Sequence, residues 1–333
     1  MKTQWASLAL TLLMTTWPTL TLADTRYEVG YMPIVPDSQV FVELADKTPD
    51  NPLADASMVE FQNGPAIVQA LLAGQLDVAY VGIGPAMVAR SKDADVRVIA
   101  GNIINQIDLV ALGELAPYFA DGDAASAFSR FTADHGRKPR ISTFPRGSVP
   151  DTVFQYWLQN SLDNAADDLE MVYQGAAQVQ QALLTGAVDG AAILEPVTSN
   201  VLAQQPDADV VASGAELFPD QPGAVLLVRQ KLIDEDPDYV KRLVVAHLDA
   251  TRQLRDTPEA VVDAVQQYVG GGRMADDVVL TALERSGDNF EANPHKLIKG
   301  TQRMYEFQRD MGILKKELDV EGLFDTQFYD AVK

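Results

Sequence analysis

The sequence predicts an α/β fold of two similar lobes followed by a helical tail. Three observations carry that prediction. Short apolar, strand-like runs alternate with helix-period segments through the first two thirds of the chain. One unit of helix, glycine turn and buried strand occurs twice. Beyond Asp236 the remaining sequence reads as helix.

The repeated unit is the clearest element. Pro65 suits the first turn of a helix, where its missing N–H is not needed. Ile67, Val68, Leu71 and Leu72 make one apolar stripe at helical spacing, and Gly74 supplies a left-handed stop. Leu76 to Val81 is an apolar run of strand length, as expected of a strand covered on both faces. Gly82, Gly84 and Pro85 end it in a loop at the strand's carboxyl end, where open α/β sheets bind ligands. Gly175, Ala177, Val179 and Gln180 repeat the spacing of Gly64, Ala66, Val68 and Gln69. After one inserted residue, Ala182, Leu183, Leu184, Gly186, Asp189 and Ala191 repeat Ala70, Leu71, Leu72, Gly74, Asp77 and Ala79.

The other elements follow in order. Tyr27 to Met32 alternates as a first strand, stopped by the stiff segment Pro33 to Ser38, and Gln39 to Ala45 reads as a short helix. Ser57 to Phe61, Val96 to Ala100, Leu109 to Leu112 and Arg140 to Phe144 read as strands. Helices are expected around Ala124 to Thr132 and from the Gly147–Asp151 turn to Asn160. Ala191 to Leu194, Asp209 to Ala212 and Gly223 to Val228 are further strands. Helices at 238–254, 258–268, 275–285 and 294–311 complete the chain, with Gly270 to Gly272 as a turn.

Composition narrows the function. The 333 residues, 47% of them hydrophobic, suffice for two domains with real cores. A net charge of −21 argues against nucleic acid and anionic membrane surfaces as partners. Lys2, the apolar run Ala6 to Leu13 and Thr21-Leu22-Ala23 read as a signal peptide cleaved near Ala23. A membrane span needs about 20 apolar residues, and Thr15, Thr16, Pro18, Thr19 and Thr21 interrupt this one. The absence of cysteine removes disulfides, thiolate metal sites and a lipid-anchored cysteine. A soluble periplasmic protein is the expectation.

Three stretches carry chemistry. Gly147-Ser148-Val149-Pro150-Asp151 opens a helix after a strand; Ser148 can cap it, with Asp151 as the capping-box partner, or the turn can hold an anion. Gly82-Ile83-Gly84-Pro85 lacks the third glycine and the downstream acidic residue of a dinucleotide fingerprint. Glu195-Pro196 places a carboxylate at a strand end with a restricted backbone, facing either a ligand amine or solvent. His135, His247 and His295 have no metal-ligand spacing, and no serine pairs with a histidine as in a triad. No catalytic residue, metal or cofactor is expected.

Val59-Glu60-Phe61-Gln62-Asn63-Gly64-Pro65, followed by Ala70-Leu71 and Gly74-Gln75-Leu76-Asp77, resembles the sulfonate-, taurine- and nitrate-type periplasmic binding proteins of ABC transporters. The strand and Gly-Ser turn at 141–148, Gly186-Ala187-Val188-Asp189, and the acidic-Pro pair at 195 and 196 follow in the same order. The resemblance implies a type II periplasmic binding fold, with two lobes joined by crossing strands near Leu109–Leu112 and Ala224–Val228. It implies a division into a signal peptide (1–23), a first lobe (24–108 and 224–333) and a second lobe (109–223). Ligand loops would follow Met32, Phe61, Val81, Ala100, Phe144 and Leu194. They supply Ile34, Pro36, Asp37, Asn63, Gly64, Gly82, Gly84, Pro85, Asn105, Gly147, Ser148, Val149, Glu195 and Pro196. Ile83 and Gly84 stand where taurine binders of the family carry serines, and Leu194 where sulfonate binders carry an aromatic.

The implied partners are a small-molecule ligand and an inner-membrane ABC permease, with the protein itself a monomer. Backbone donors at Gly64, Gly84 and Gly147-Ser148 favour an oxyanion group, with Arg146 as the one nearby cation. Glu195 would repel a simple anion, so the expected ligand is a small organic anion or zwitterion walled by Tyr31, Tyr80, Phe144 and Tyr173. Nitrate, bicarbonate, a pyrimidine precursor of thiamine, or an exported sensor or enzyme on the same fold are the alternatives.

Overall fold

The computed structural model describes residues 27–162 and 165–333; the expected signal peptide lies outside the described residues. Two five-stranded sheets organise them. The first contains β1 (Glu28–Tyr31), β2 (Ser57–Glu60), β3 (Val78–Gly82), β4 (Val96–Gly101) and, from much later in the chain, β10 (Ala224–Arg229), in the order β2-β1-β3-β10-β4. The second contains β5 (Asp108–Ala111), β6 (Arg140–Thr143), β7 (Glu170–Tyr173), β8 (Gly190–Ile193) and β9 (Asp209–Ala212), in the order β7-β6-β8-β5-β9. In each, three parallel strands are followed by one antiparallel strand, β10 or β5.

The two repeats therefore occupy equivalent places. Helices α1 (Ser38–Ala45), α2 (Gly64–Leu72) and α3 (Ile83–Ser91) belong to the first sheet. Helices α4 (Ala124–His135), α5 (Val149–Asn160), α6 (Ala176–Leu184), α7 (Val197–Gln204) and the short α8 (Gly214–Leu217) accompany the second. The stops Gly74 and Gly186 have φ of 69° and 66°. The repeated aspartates explain themselves. Asp77 Oδ2 accepts the Glu28 N–H at 3.1 Å, and Asp189 Oδ2 accepts the Arg140 N–H at 2.8 Å. Each ties the start of its strand to the start of its sheet's first parallel strand.

The chain passes between the sheets through 102–107 and 213–223, directly before the runs Leu109–Leu112 and Ala224–Val228 near which the crossings were expected. Those apolar runs are paired on both sides within their sheets; the crossings precede them. The two crossing segments also bond to each other, Asn105 N to Gln221 O at 3.1 Å and Gly223 N to Ile103 O at 3.1 Å. A second correction concerns the loop expected at Gly82, Gly84 and Pro85. It is helix α3, starting directly on β3 with Gly82 as N-cap. Gly84 and Pro85 lie in its first turn, where proline breaks no intrahelical bond. Strand β7 and helix α7 were not legible either: Glu170–Tyr173 is a partly exposed edge strand, and α7 opens with the polar run Thr198-Ser199-Asn200.

The tail is helical as expected: α9 (Gln230–Glu235), α10 (Pro237–Asp256), α11 (Pro258–Gln266), α12 (Asp276–Ser286), α13 (His295–Asp310) and α14 (Gln327–Asp330). Helices α1, α10, α11 and α12 cover one face of the first sheet through Val29, Tyr80, Ile99, Leu226 and Leu243. The opposite face, through Ala79, Val81 and Val225, shares an apolar cluster with Ile141 and Ala192 of the second sheet. A polar group sits inside the first core. The Tyr80 hydroxyl donates to Glu43 Oε1 at 2.8 Å. His247 Nε2 lies 2.7 Å from Gly101 O, so that nitrogen carries the proton, and Nδ1 lies 3.5 Å from Glu43 Oε1. Burial raises the Glu43 carboxyl pKa, against the pull of His247 and Tyr80.

Candidate functional site between the two sheets

The carboxyl ends of the parallel strands face each other across the crossings. Met32, Ile34, Gly64, Gly82 and Pro85 from the first sheet's loops meet Phe144, Ser148, Val149 and Leu194 from the second, with Gln106 and Ala224 behind. Only about 30 Å³ remains between them, room for about one water. Two glycines permit this approach. A Cβ on Gly82 would stand 3.0 Å from Val149 Cγ2, and one on Gly84 would stand 2.8 Å from Gly147 O. The walls are also bonded across: Val35 N to Glu195 O at 3.1 Å, and Gln308 Nε2 to Thr152 Oγ1 at 2.8 Å.

Beside this apolar slot lies a polar cavity of about 460 Å³, lined by Asn105, Gln106, Asp108, Glu195, Ser213 and Arg285 among others. Gln106 lines both spaces. The Arg285 guanidinium, at the end of α12, donates Nε to Glu195 Oε1 at 2.8 Å and Nη2 to Asp108 Oδ2 at 2.9 Å. Glu195 also accepts the Ser199 N–H at 2.9 Å and its hydroxyl at 2.9 Å. Burial nevertheless raises the pKa of both the Asp108 and Glu195 carboxyls. Asn105 holds a positive φ of 46°, a conformation asparagine tolerates better than most residues.

The expected ligand residues thus divide. Ile34, Gly64, Gly82, Pro85, Ser148 and Val149 line the slot; Asn105 and Glu195 line the polar cavity. Gly84 is packed against Gly147, and Pro196 precedes α7. The rest have structural work. Asp37 is buried, and its Oδ2 accepts the Met32 N–H at 3.0 Å. Pro36 O accepts from Asn102 Nδ2 at 3.3 Å. Asn63 caps α2 through Ala66 N at 3.0 Å.

Two charge arguments from the sequence need correction. The Gly147 N–H donates to Asp151 Oδ2 at 2.9 Å and the Ser148 N–H to Pro145 O at 3.1 Å, so this turn already spends the donors expected to hold an anion. Glu195 needs no ligand amine, because Arg285 and Ser199 satisfy it. Of the aromatics, Phe144 lines the slot, Tyr31 and Tyr80 pack in the first core, and Tyr173 carries Arg146 over its ring at 5.1 Å.

Asp151 gives a pH test. Burial pushes its carboxyl up to about 6, against the Gly147 N–H and Arg146. The folded protein therefore binds this proton more tightly than the unfolded chain. The contribution is complete below about pH 4, the ordinary aspartate value, and is lost as pH rises through about 6. Asp151→Asn is expected to raise stability by about 1–2 kcal/mol at pH 7.5 and by little at pH 4. Urea midpoints at the two pH values check this; a parallel pH dependence in both proteins refutes it.

Arg285, Gln106 and Asp108 were missing from the sequence reading. Arg285 ends an ordinary amphipathic helix, where a basic residue suits the helix dipole, so nothing local marks it. Among the described residues no cluster of three or more His, Cys, Asp or Glu is placed to hold a metal, and no helix is long and apolar enough to cross a membrane.

A Brucella abortus protein named "Putative binding protein" is 26% identical over 97% of this chain and 98% of its own length. The periplasmic aliphatic sulphonate binding protein of Escherichia coli superposes with a TM-score of 0.72 at 17% identity, over 90% of this chain and 97% of that one. The periplasmic nitrate-binding protein of Synechocystis gives 0.73 at 13% identity, over 92% and 88%. A desulfurization enzyme gives 0.62 at 14% identity, over 92% and 99%, so this fold also supports catalysis. With residues 21–268 matching its family model, the chain belongs to the NMT1-like family and has the two-sheet α/β architecture of periplasmic binding proteins.

Proposed function

We propose that the protein is the solute-binding component of an ABC importer, holding a small organic anion or zwitterion between two lobes. The observation that carries this reading is the meeting of strand-end loops from both sheets, Met32, Ile34, Gly64 and Pro85 against Phe144, Ser148 and Leu194, around one slot beside the crossings. Chain 27–101 with 224–333 forms one lobe and the second sheet, from Asp108 to Ala212, the other; the crossings 102–107 and 213–223 serve as the hinge. The exported, soluble form binds its solute, closes and is recognised by a membrane permease. The names of the relatives support binding over catalysis.

A thermal-shift screen of alkanesulfonates, aminosulfonates, carboxylates, phosphonates and inorganic anions tests the reading. At a hundredfold excess over Kd a true solute adds about 2.7 kcal/mol of apparent stability. It should be recovered chemically intact, and small-angle scattering should show an open form compacting on binding. A solute that emerges transformed makes the protein an enzyme. Stabilisation by nitrate or bicarbonate alone removes the organic solute.

A further inference from the structure

We propose that the polar cavity beside the crossings is the recognition site for a protonated amine on the solute, read by the segment Asn105-Gln106-Ile107-Asp108. This deepens the binding reading above and rests on it. Three observations converge. The charged groups lining the cavity are Asp108, Glu195 and Arg285, which leave one negative charge over. Glu195 is filled by Arg285 and Ser199, so the surplus belongs to Asp108, whose Oδ2 alone is bonded, to Arg285. Asn105 Oδ1 and Gln106 Oε1 are buried without hydrogen-bond partners.

Asp108 Oδ1 is open to the cavity at the start of β5, and in the crossing segment just before it Asn105 Oδ1 and Gln106 Oε1 are buried acceptors with no partner in this packing. A primary ammonium has three N–H donors and one positive charge. It answers both the surplus charge and the unspent acceptors, whereas a bare oxyanion answers neither. Burying an unpaired acceptor costs free energy that a donor on the solute recovers. Gln106 also lines the apolar slot, so the amine site and the slot adjoin at this residue.

Isothermal titration of the mature protein with matched probes tests the proposal. The probes are 3-aminopropanesulfonate against propanesulfonate, 4-aminobutyrate against butyrate, and butylamine alone. At least one amine-bearing probe is expected to bind about tenfold or more tighter than its amine-free partner. Asp108→Asn should erase that preference, weakening the amine-bearing probe about tenfold more than its amine-free partner. Asn105→Asp, at a position whose positive φ aspartate also tolerates, should strengthen it; this second variant keeps the test open if Asp108→Asn does not fold. Equal affinity within each pair overturns the amine site and leaves solute binding standing. Failure of every amine probe also overturns it, with the broader screen deciding the binding reading separately.

Discussion

Replacing His247 with leucine is expected to lower the unfolding free energy by about 3–5 kcal/mol, the range for breaking a buried polar pair. The imidazole is fully buried: its Nε2 bonds Gly101 O, and its Nδ1 faces Glu43 Oε1 with no hydrogen bond of its own. Gly101 O would lose its 2.7 Å donor, and Glu43 would keep Tyr80 while losing the imidazole facing it at 3.5 Å. Leucine fills much of the same volume, so the cost is polar rather than a cavity. Adding Glu43→Gln should recover part of the loss by removing the stranded carboxyl. Urea melts of the two singles and the double give the coupling. Additive losses would mean that the pair does not act as a unit.

Arg285→Met is the second large effect, at about 2–3 kcal/mol of stability. Breaking a buried ion pair costs about 3–5 kcal/mol; the discount reflects the Arg285 side chain, which is 36% exposed and screened by solvent. What remains is the cost of leaving Glu195, 7% exposed, without its counter-charge while Asp108 loses its own. Ser199 still donates two hydrogen bonds to Glu195, which caps the damage. The double variant Arg285→Met/Glu195→Gln should be more stable than Arg285→Met. If Arg285→Met melts with the parent protein, the network is ornamental.

The sequence made some features legible and hid others for physical reasons. The repeat was readable because its parts are local: a proline at a helix start, a stripe at 67, 68, 71 and 72, and a glycine that must turn left-handed. It located β3 and β8 in equivalent places, and it marked Asp77 and Asp189 before their role was visible. Helix α3 was hidden because Gly84 and Pro85 are read as breakers when the helix starts one residue after the strand. The slot residues followed from the rule that ligands gather at strand ends. The charge arguments failed because they treated residues singly. Glu195 finds its partner ninety positions away, and the Gly147 N–H finds Asp151 four positions on; hydrogen-bond bookkeeping depends on the fold.

Strand β10 sits between β3 and β4, although the whole second sheet is synthesised between β4 and β10. The second sheet is contiguous in the chain and can assemble from its own strands. The first cannot, since its β2-β1-β3 part meets β4 only through a strand that arrives after residue 223. In equilibrium this detour is cheap, because each doubling of a closed loop adds only about 0.6 kcal/mol of entropy cost. In time it is expensive: pairings distant along the chain form slowly, and unpaired strand edges wait meanwhile. The topology that brings both crossings to one cavity thus makes the earliest-synthesised strands the last to be enclosed.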